Sequence, residues 1–414
     1  MKFLVLVGDG MADFPLPELG GHTPLEVAAT PGMDAVARDG QTGLFYPVPE
    51  GLSAGSDIGN LSLFGYNPRE TYTGRAPLEA ANQGIEMRAN QVAFRCNLVT
   101  LRDGLMEDFT SEHISSQEAA ELIAHLNDCL SRYPVRFYPG VSYRHLSIVT
   151  AGPALLEKLV RLDCTPPHDI TGKPYGPHLP SGAGGELILE LMQQSVRVLD
   201  GHAVNRARVD AGKRPATSIW LWGQGRPATL ASYSSRFGIN GAVISAVDLV
   251  KGIGVCAGLE ILDVPGATGY LDTNYEGKVE AGLAALDRVD FVFVHVEAPD
   301  ETSHEGRIDL KIRAIEEFDS RVVAPCLDYA ATRPDIRLLV TPDHVTSIRS
   351  RTHAGGAVPF AMCGNGIEAG GISAYSETAA QATGIRIDEG YRLVPCFITC
   401  RQIDGTMLNN LGKE

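Results

Sequence analysis

The sequence predicts an α/β fold, a mainly parallel sheet with helices on both faces that carries an inserted smaller α/β domain. Three observations predict it. The apolar, β-branched runs KFLVLVG, FVFVHV and IRLLVT read as buried strands, and each leads directly into residues bearing carboxylates or imidazoles. In the second half of the chain SIWLWG, LEILDVPG, FVFVHV, IRLLVT and VPFAMCG alternate with helical stretches, the pattern of strands joined by helices. Finally, the residues with chemistry lie near the start and beyond residue 295 and must meet in space. The middle of the chain therefore leaves the first sheet and returns to it.

Taken in order, KFLVLVG ends at Asp9 in VLVGDGMAD. Thr23-Pro24 and Thr30-Pro31 each open a helix, because Pro is tolerated in the first turn. GLFYPVP is strand-like and precedes EGLSAGSDIGN, a Gly/Ser-rich turn before a helix starting near Asp57. Pro/Gly-rich crossings follow at FGYNPRETYTGRAP (64–77) and ARVDAGKRPATS (207–218). Between them lie a strand VAFRCNLVTL, a helix SSQEAAELIAHLNDCLS, and a hairpin-like pair RFYPG and VSYRHLSIVTA. This insert of roughly 130–140 residues has ordinary domain size. The expected division is residues 1–76 with 216–414 for the main domain and 77–215 for the insert.

Beyond the insert, GAVISAVDLVK reads as one helical stretch. Gly252, Gly254 and Gly258 in KGIGVCAGLE are similar to a dinucleotide-binding turn, but that turn needs a strand directly before it and an acid about twenty positions later. The glycines are read instead as allowing close helix packing or a turn. IDLKIRAIEEFDSRVVAPCLDYA places Ile308, Ile312, Ile315, Phe318 and Val322 on one face that packs on the sheet, with its charges as a solvated face. LVPCFITC, with Cys396 and Cys400, reads as an apolar strand. No internal repeat or low-complexity linker interrupts this order.

Chemistry gathers where the strands end. Asp9, Asp300 and His304 in VEAPDETSHEG, Asp343 and His344 in VTPDH, and His353 in RTHAGG supply six O/N donors at one edge of a sheet, where α/β folds place ligand sites. A metal centre with two ions is the reading that accounts for the whole set. Asp300 and His304 alone could be a helix N-terminal acid and a surface His. Ser56, in the turn before a helix, would hold a phosphoryl group beside backbone N–H groups and a positive dipole end. A free Ser hydroxyl is a poor nucleophile, and nearby metal ions would activate it. The plainer role for Ser53 or Ser56 is to cap the helix.

Composition fits an enzyme with real cores: 414 residues, 44% of them hydrophobic. No apolar run approaches the ~18 residues of a membrane span, and the N-terminus opens on a strand rather than a basic leader. Eight scattered cysteines without a CxxC pair suit reduced thiols in the cytoplasm. The formal charge of −15 excludes nucleic acid as a natural partner and requires any anionic substrate to be held by a local cluster of Arg, Lys and metal. No membrane partner is expected either. There is no Gly-x-x-x-x-Gly-Lys-Ser/Thr phosphate loop.

Asp9, Ser56, Asp300-x-x-x-His304, Asp343-His344 and His353 stand in the order of the alkaline phosphatase superfamily. GDGMADFPLPELGGHTPLEVAATP, GSDIGNLSLFGYNP, YTGRAPLEAA, FRCNLVTL, FYPGVSYR, PPHDITGKP, WLWGQG, ATGYLDTNYEGK and TPDH narrow this further. The chain resembles the archaeal-type, cofactor-independent (2,3-bisphosphoglycerate-independent) phosphoglycerate mutases, whose bacterial relatives have been proposed as homoserine kinases. The resemblance implies an alkaline-phosphatase-like catalytic domain and two divalent ions, Mn²⁺ first, with Zn²⁺, Co²⁺ or Mg²⁺ as substitutes. It implies that one ion is held by Asp9, Ser56, Asp343 and His344, and the other by Asp300, His304 and His353. His295 is read as a buried or outer histidine.

The insert is expected to recognise a small phosphorylated hydroxy acid. Its candidates are Asp108 and His113 in MEDFTSEH, Arg144 in GVSYRH, His168, Asp169 and Lys173 in PPHDITGK, and Arg206 and Arg208 in NRARVDAGKR. Arg75 and Lys278 are further candidate phosphate contacts, since Arg and Lys bind phosphate and carboxylate. The expected reaction interconverts 3-phosphoglycerate and 2-phosphoglycerate through a phosphoserine on Ser56. His113, His168 or Asp169 would move protons between hydroxyls, and domain closure would exclude water. A homoserine kinase would instead consume ATP, a phosphatase would release phosphate, and a metal-binding scaffold would do neither.

Overall fold

A computed structural model describes residues 1–399. Along the chain the first strands are β1 (Lys2–Gly8), β2 (Gln41–Phe45), β3 (Gln91–Arg102), β4 (Leu105–Asp108), β5 (Val135–Tyr138), β6 (Arg144–Thr150) and β7 (Ser218–Gly225). They are followed by β8 (Gly241–Ile244), β9 (Glu260–Ile261), β10 (Phe291–Val296), β11 (Ile336–Thr341), β12 (Val345–Ser347), β13 (Thr352–Ala354), β14 (Val358–Gly364) and β15 (Arg386–Ile387). The chain forms two compact units, one of Met1–Tyr72 with the chain from Thr229 onward, the other of Thr73–Ala228.

The first unit is built on an eight-stranded sheet of order β15-β2-β14-β11-β1-β10-β8-β9. β1 runs parallel between β10 and β11, with Val7 opposite His295 on one side and Thr341 on the other. β14 is antiparallel to both its neighbours, and the remaining strands share one direction. The central strands lack polar alternation because both faces are covered. On one face Leu4, Leu6, Val292, Val294, Leu338 and Val340 share a core with the helices Pro31–Arg38, Tyr275–Ala285 and Ile308–Phe318. On the other, Phe3 meets Phe397, Phe293 stacks on Phe64, and Phe291 packs against Tyr233.

Three expectations for this unit change. LVPCFITC holds a helix, Leu393–Thr399, that buries Leu393, Val394, Cys396 and Phe397, a helical rather than alternating pattern; Cys400 lies outside the described residues. GAVISAVDLVK is not one helix: its first residues form β8, and the helix begins at Asp248. A short apolar run does not distinguish the two. Gly254 lies in that helix, where a Cβ would sit 2.8 Å from Val243 Cγ2, and Gly258 turns the chain after it at φ +72°. The stretch from Ile308 is helical to Phe318, passes through a π turn at Asp319–Val323 ahead of Pro325, and resumes at Ala324–Ala331. Its charges are not all solvated. Lys311 is fully buried and donates to Asp13 Oδ2 (3.1 Å) and the carbonyls of Thr346 (2.8 Å) and Ala12 (3.2 Å).

In the second unit the long β3 is the spine, antiparallel to β6 on one edge and β7 on the other. β4 pairs with its C-terminal end, and β5 extends the sheet from β6. SIWLWG is thus a strand of this sheet and not of the main one, because Trp220, Leu221 and Trp222 join the core beneath β3. The helix Ser116–Cys129 opens with a capping box between Ser115 and Glu118, and its buried Ala119, Leu122, Ile123 and Leu126 belong to that core. Thr73 Oγ1 donates to the Arg226 carbonyl (2.7 Å), so the two ends of the unit lie side by side.

Candidate metal centre

Strand order explains why distant residues meet. With β1 between β10 and β11, the segments leaving these three strands are neighbours: Asp9 after β1, Asp300 and His304 on the helix Ala298–His304, and Asp343 and His344 after β11. The β12–β13 hairpin returns His353, and the helix Ser56–Leu63 supplies Ser56. Two glycines allow this crowding. A Cβ on Gly59 would lie 2.4 Å from the Asp343 carbonyl oxygen, so the Ser56 helix approaches closely only without one. Gly10, at φ +58°, would put a Cβ 2.4 Å from Thr346 Oγ1 and 2.5 Å from Asp300 Oδ1.

Two groups of donors overlap at this edge. Asp300 lies 3.1 Å from His304 Nε2 and 3.5 Å from His353 Nε2, and the two imidazole nitrogens are 3.1 Å apart. His304 Nδ1 faces the Arg351 carbonyl at 2.9 Å, so it carries a hydrogen there and turns Nε2 inward. His344 Nε2 lies 3.2 Å from Asp9 Oδ1, 3.4 Å from Asp343 Oδ2 and 3.1 Å from Ser56 Oγ. Asp9, His295 and Asp343 also come within reach of one ion, as do Asp9, Asp300 and His344. His295, set aside from the ligands in the sequence, thus stands against them, with Nε2 3.1 Å from Asp9 Oδ2.

These residues fit divalent cations. Both carboxylate oxygens of Asp9 are buried and receive no aligned hydrogen bond, an expensive arrangement without a cation. Burial, reinforced by the charge of Asp300, pushes Asp9 well above the usual carboxylate range. Burial and the neighbouring Asp9 push Asp343 up to about 7. Burial also acts on Asp300 but is outweighed by hydrogen bonds from His304 and His353, which hold it well below that range. The bond to Asp300 raises His304 to about 9, while burial lowers His295 to about 4. Carboxylates this close cannot all stay ionised unless positive charge lies among them. The donors are oxygen and imidazole nitrogen with no thiolate, a set that suits divalent ions.

Ser56 is the first residue of its helix, with Oγ at the buried cluster. Asn60, one turn later, donates to the Ser56 carbonyl (2.9 Å) and to Asp343 Oδ2 (2.6 Å), tying the serine to the donor set. Nothing in the sequence pattern singled out Asn60. Thr346 and Lys311 were missed as well. Lys311 reads as one charge among many on an amphipathic helix.

In the second unit the candidates separate. His113, Tyr143, Phe109, His168 and Trp222 form a chain of ring contacts with centroids 5.4–6.0 Å apart. Arg144 lies over Tyr143, Lys173 Nζ donates to the Asp169 carbonyl, and His168 Nε2 is 3.6 Å from Asp169 Oδ1. His113 ends a run of three left-handed non-glycine residues, Ser111, Glu112 and His113. Such a run costs about 1–2 kcal/mol per residue and persists only where neighbours impose it.

Those neighbours include two residues expected to bind substrate. Asp108 accepts from the backbone N–H groups of Thr110 and Glu112 and pairs with Arg214. Buried Arg208 donates to Ser111 O, Glu118 and Arg214 O. Their groups are spent on the turn rather than directed at a substrate. Arg206 bonds the Gly201 carbonyl and lines a different cavity of about 620 Å³. Lys278 is buried with Nζ on the His295 carbonyl (2.9 Å). Arg75 shares Glu79 with Arg95, whose guanidinium lies 4.2 Å from the Trp222 ring centroid. Arg95 was missed, though a charge within the apolar strand VAFRCNLVTL is itself a signal, since it must be paired to be buried.

Comparison with known proteins gives a consistent picture. The family model described as 2,3-bisphosphoglycerate-independent phosphoglycerate mutase matches residues 37–205. A 2,3-bisphosphoglycerate-independent phosphoglycerate mutase of Methanothrix thermoacetophila is 49% identical over 400 residues, covering 96% of this chain and 100% of its own. One from Methanosarcina acetivorans is 53% identical over 363 residues, covering 87% and 90%. Among solved structures, a Pyrococcus horikoshii protein superposes with a TM-score of 0.79 at 27% identity, over 97% of this chain and 98% of its own. The cofactor-independent phosphoglycerate mutase of Thermoplasma acidophilum gives 0.65 at 25% identity, over 96% and 99%. No helix of the described residues is long and apolar enough to cross a membrane.

Proposed function

The chain belongs to the 2,3-bisphosphoglycerate-independent phosphoglycerate mutases, and from that premise we propose that Ser56 carries the phosphoryl group between 3-phosphoglycerate and 2-phosphoglycerate. The observation that carries this reading is the position of Ser56 Oγ. It lies at a helix N-terminus, 3.1 Å from His344 Nε2, beside a carboxylate cluster that needs cations. Asp9, Asp343 and His344 with Ser56 would hold one divalent ion, and Asp300, His304 and His353 the other, Mn²⁺ being our assignment. His295 stands behind Asp9 and Asp343. When bound, the ions supply positive charge that activates the serine hydroxyl and neutralises the phosphoryl oxygens.

The rest is the work of the chain. Ser56 Oγ is held 3.1 Å from His344 Nε2, and Asn60 fixes the serine backbone against Asp343. The Ser56 Oγ–P bond forms as the substrate P–O bond breaks, and the glycerate oxygen left behind takes up a proton to balance the one that the Ser56 hydroxyl gives up. The adjacent glycerate hydroxyl then gives up its proton and takes the same phosphoryl group as the Ser56 Oγ–P bond breaks, and the serine oxygen regains a proton, so no bisphosphoglycerate is consumed. We assign the proton transfers to His113, His168 or Asp169, and anion contacts to Arg144, Lys173 and Arg75. We place the reaction in the cytoplasm.

Phosphorus NMR of Mn²⁺-loaded protein with 3-phosphoglycerate, without ATP or bisphosphoglycerate, tests this directly. A 2-phosphoglycerate signal growing to equilibrium and absent in Ser56→Ala is the expected result. Free phosphate as the main product would point to a phosphatase. No reaction until ATP and homoserine are added would overturn the mutase.

A further inference from the structure

We infer that the Thr346 hydroxyl is a positioning group that fixes the ring tautomer of His344 and the carboxylate orientation of Asp300 together, linking both candidate metal sites through one oxygen. Thr346 Oγ1 lies 2.5 Å from Asp300 Oδ1 and 3.1 Å from His344 Nδ1. A hydroxyl has one hydrogen and two lone pairs, while an ionised carboxylate only accepts. The hydrogen therefore goes to Asp300, and His344 Nδ1 must donate to the oxygen. That leaves the Nε2 lone pair of the neutral ring directed at Ser56 Oγ and Asp9. The opposite tautomer would place a hydrogen on the nitrogen that a metal ion needs bare.

The surroundings hold Thr346 to this task. Its N–H donates to the Ala12 carbonyl (3.2 Å), and its own carbonyl accepts from Lys311 Nζ (2.8 Å). Gly10 leaves room for its hydroxyl, since any Cβ there would collide with Thr346 Oγ1 and Asp300. Residue 346 is fully buried, so no water competes for its single hydrogen.

This inference rests on the metal-centre reading, and the experiment separates the two. Thr346→Val keeps the shape and removes the hydroxyl, whereas Thr346→Ser keeps the hydroxyl. In equilibrium dialysis with Mn²⁺, Thr346→Val should bind about 10–100-fold more weakly than wild type, and Thr346→Ser within about threefold of it. Histidine-¹⁵N NMR of the metal-free protein at alkaline pH should show His344 with its hydrogen on Nδ1 in wild type and Thr346→Ser. Thr346→Val should lose that preference. Equal Mn²⁺ affinity in folded Thr346→Val, or an Nε2–H tautomer in wild type, overturns the inference and leaves the metal centre standing. If wild type binds no Mn²⁺, the metal-centre reading falls and takes the inference with it. Should Thr346→Val fail to fold, the wild-type tautomer and the Ser variant decide.

Discussion

His145 shows what an isolated buried imidazole does to stability. It lies in β6, almost fully buried, with Nδ1 accepting from Gly140 N–H and Nε2 without a partner. Burial lowers it to about 3, far under its ordinary value near 6.5. The native state therefore keeps the ring neutral while the unfolded chain takes up a proton. Its contribution is present above pH 6.5 and is lost as pH falls toward 3, at about 1.4 kcal/mol per pH unit. Urea unfolding at pH 7, 6 and 5 should show a shallower acid slope in His145→Gln than in wild type. Lys311 is a second test at this scale. Both it and its partner Asp13 are fully buried, so Lys311→Met strands a carboxylate and should cost about 3–5 kcal/mol in the same assay. These two residues also show a limit of sequence reading. A charge on an amphipathic helix and a polar residue in a strand carry no mark of what lies opposite them in space.

The elements of the main sheet were easier to read, because β1, β10 and β11 are continuous apolar runs ending in acids. Their order was not readable, and the order makes Asp9, Asp300 and Asp343 neighbours. GAVI and LVPCFITC were misread in opposite directions, as helix and as strand, since short apolar runs suit either until packing decides. SIWLWG was a strand as expected, but its pairing with β3 lies in long-range contacts that no local pattern encodes. The helix Ser56–Leu63 yields the test at this scale. Gly59→Ala sets a methyl against the Asp343 carbonyl, a backbone atom with little freedom to yield. The variant should stay folded, with unchanged far-UV circular dichroism, and lose about 10²-fold in kcat, because a displacement of the proposed nucleophile Ser56 near 1 Å has that effect.

At the scale of the molecule, two measurements address the two units separately. Mn²⁺ should stabilise the whole chain by about 2.7 kcal/mol at one hundred times its Kd, seen as a rise in Tm that EDTA reverses. Residues 73–228 have their own sheet and their own core, so that segment expressed alone should unfold cooperatively by circular dichroism, and a non-cooperative melt would contradict its independence. The hydrogen bond between Thr73 and the Arg226 carbonyl gives this segment a history as well as a shape. A module whose two ends already touch can be spliced into a loop of a host, or lifted out and replaced, with no strand of the host sheet disturbed. On the proposed division of roles, evolution could then retain one phosphoryl-transfer chassis and exchange the part that chooses the substrate. Laboratory recombination of whole inserts, cut at those two residues, becomes a rational route to new specificities.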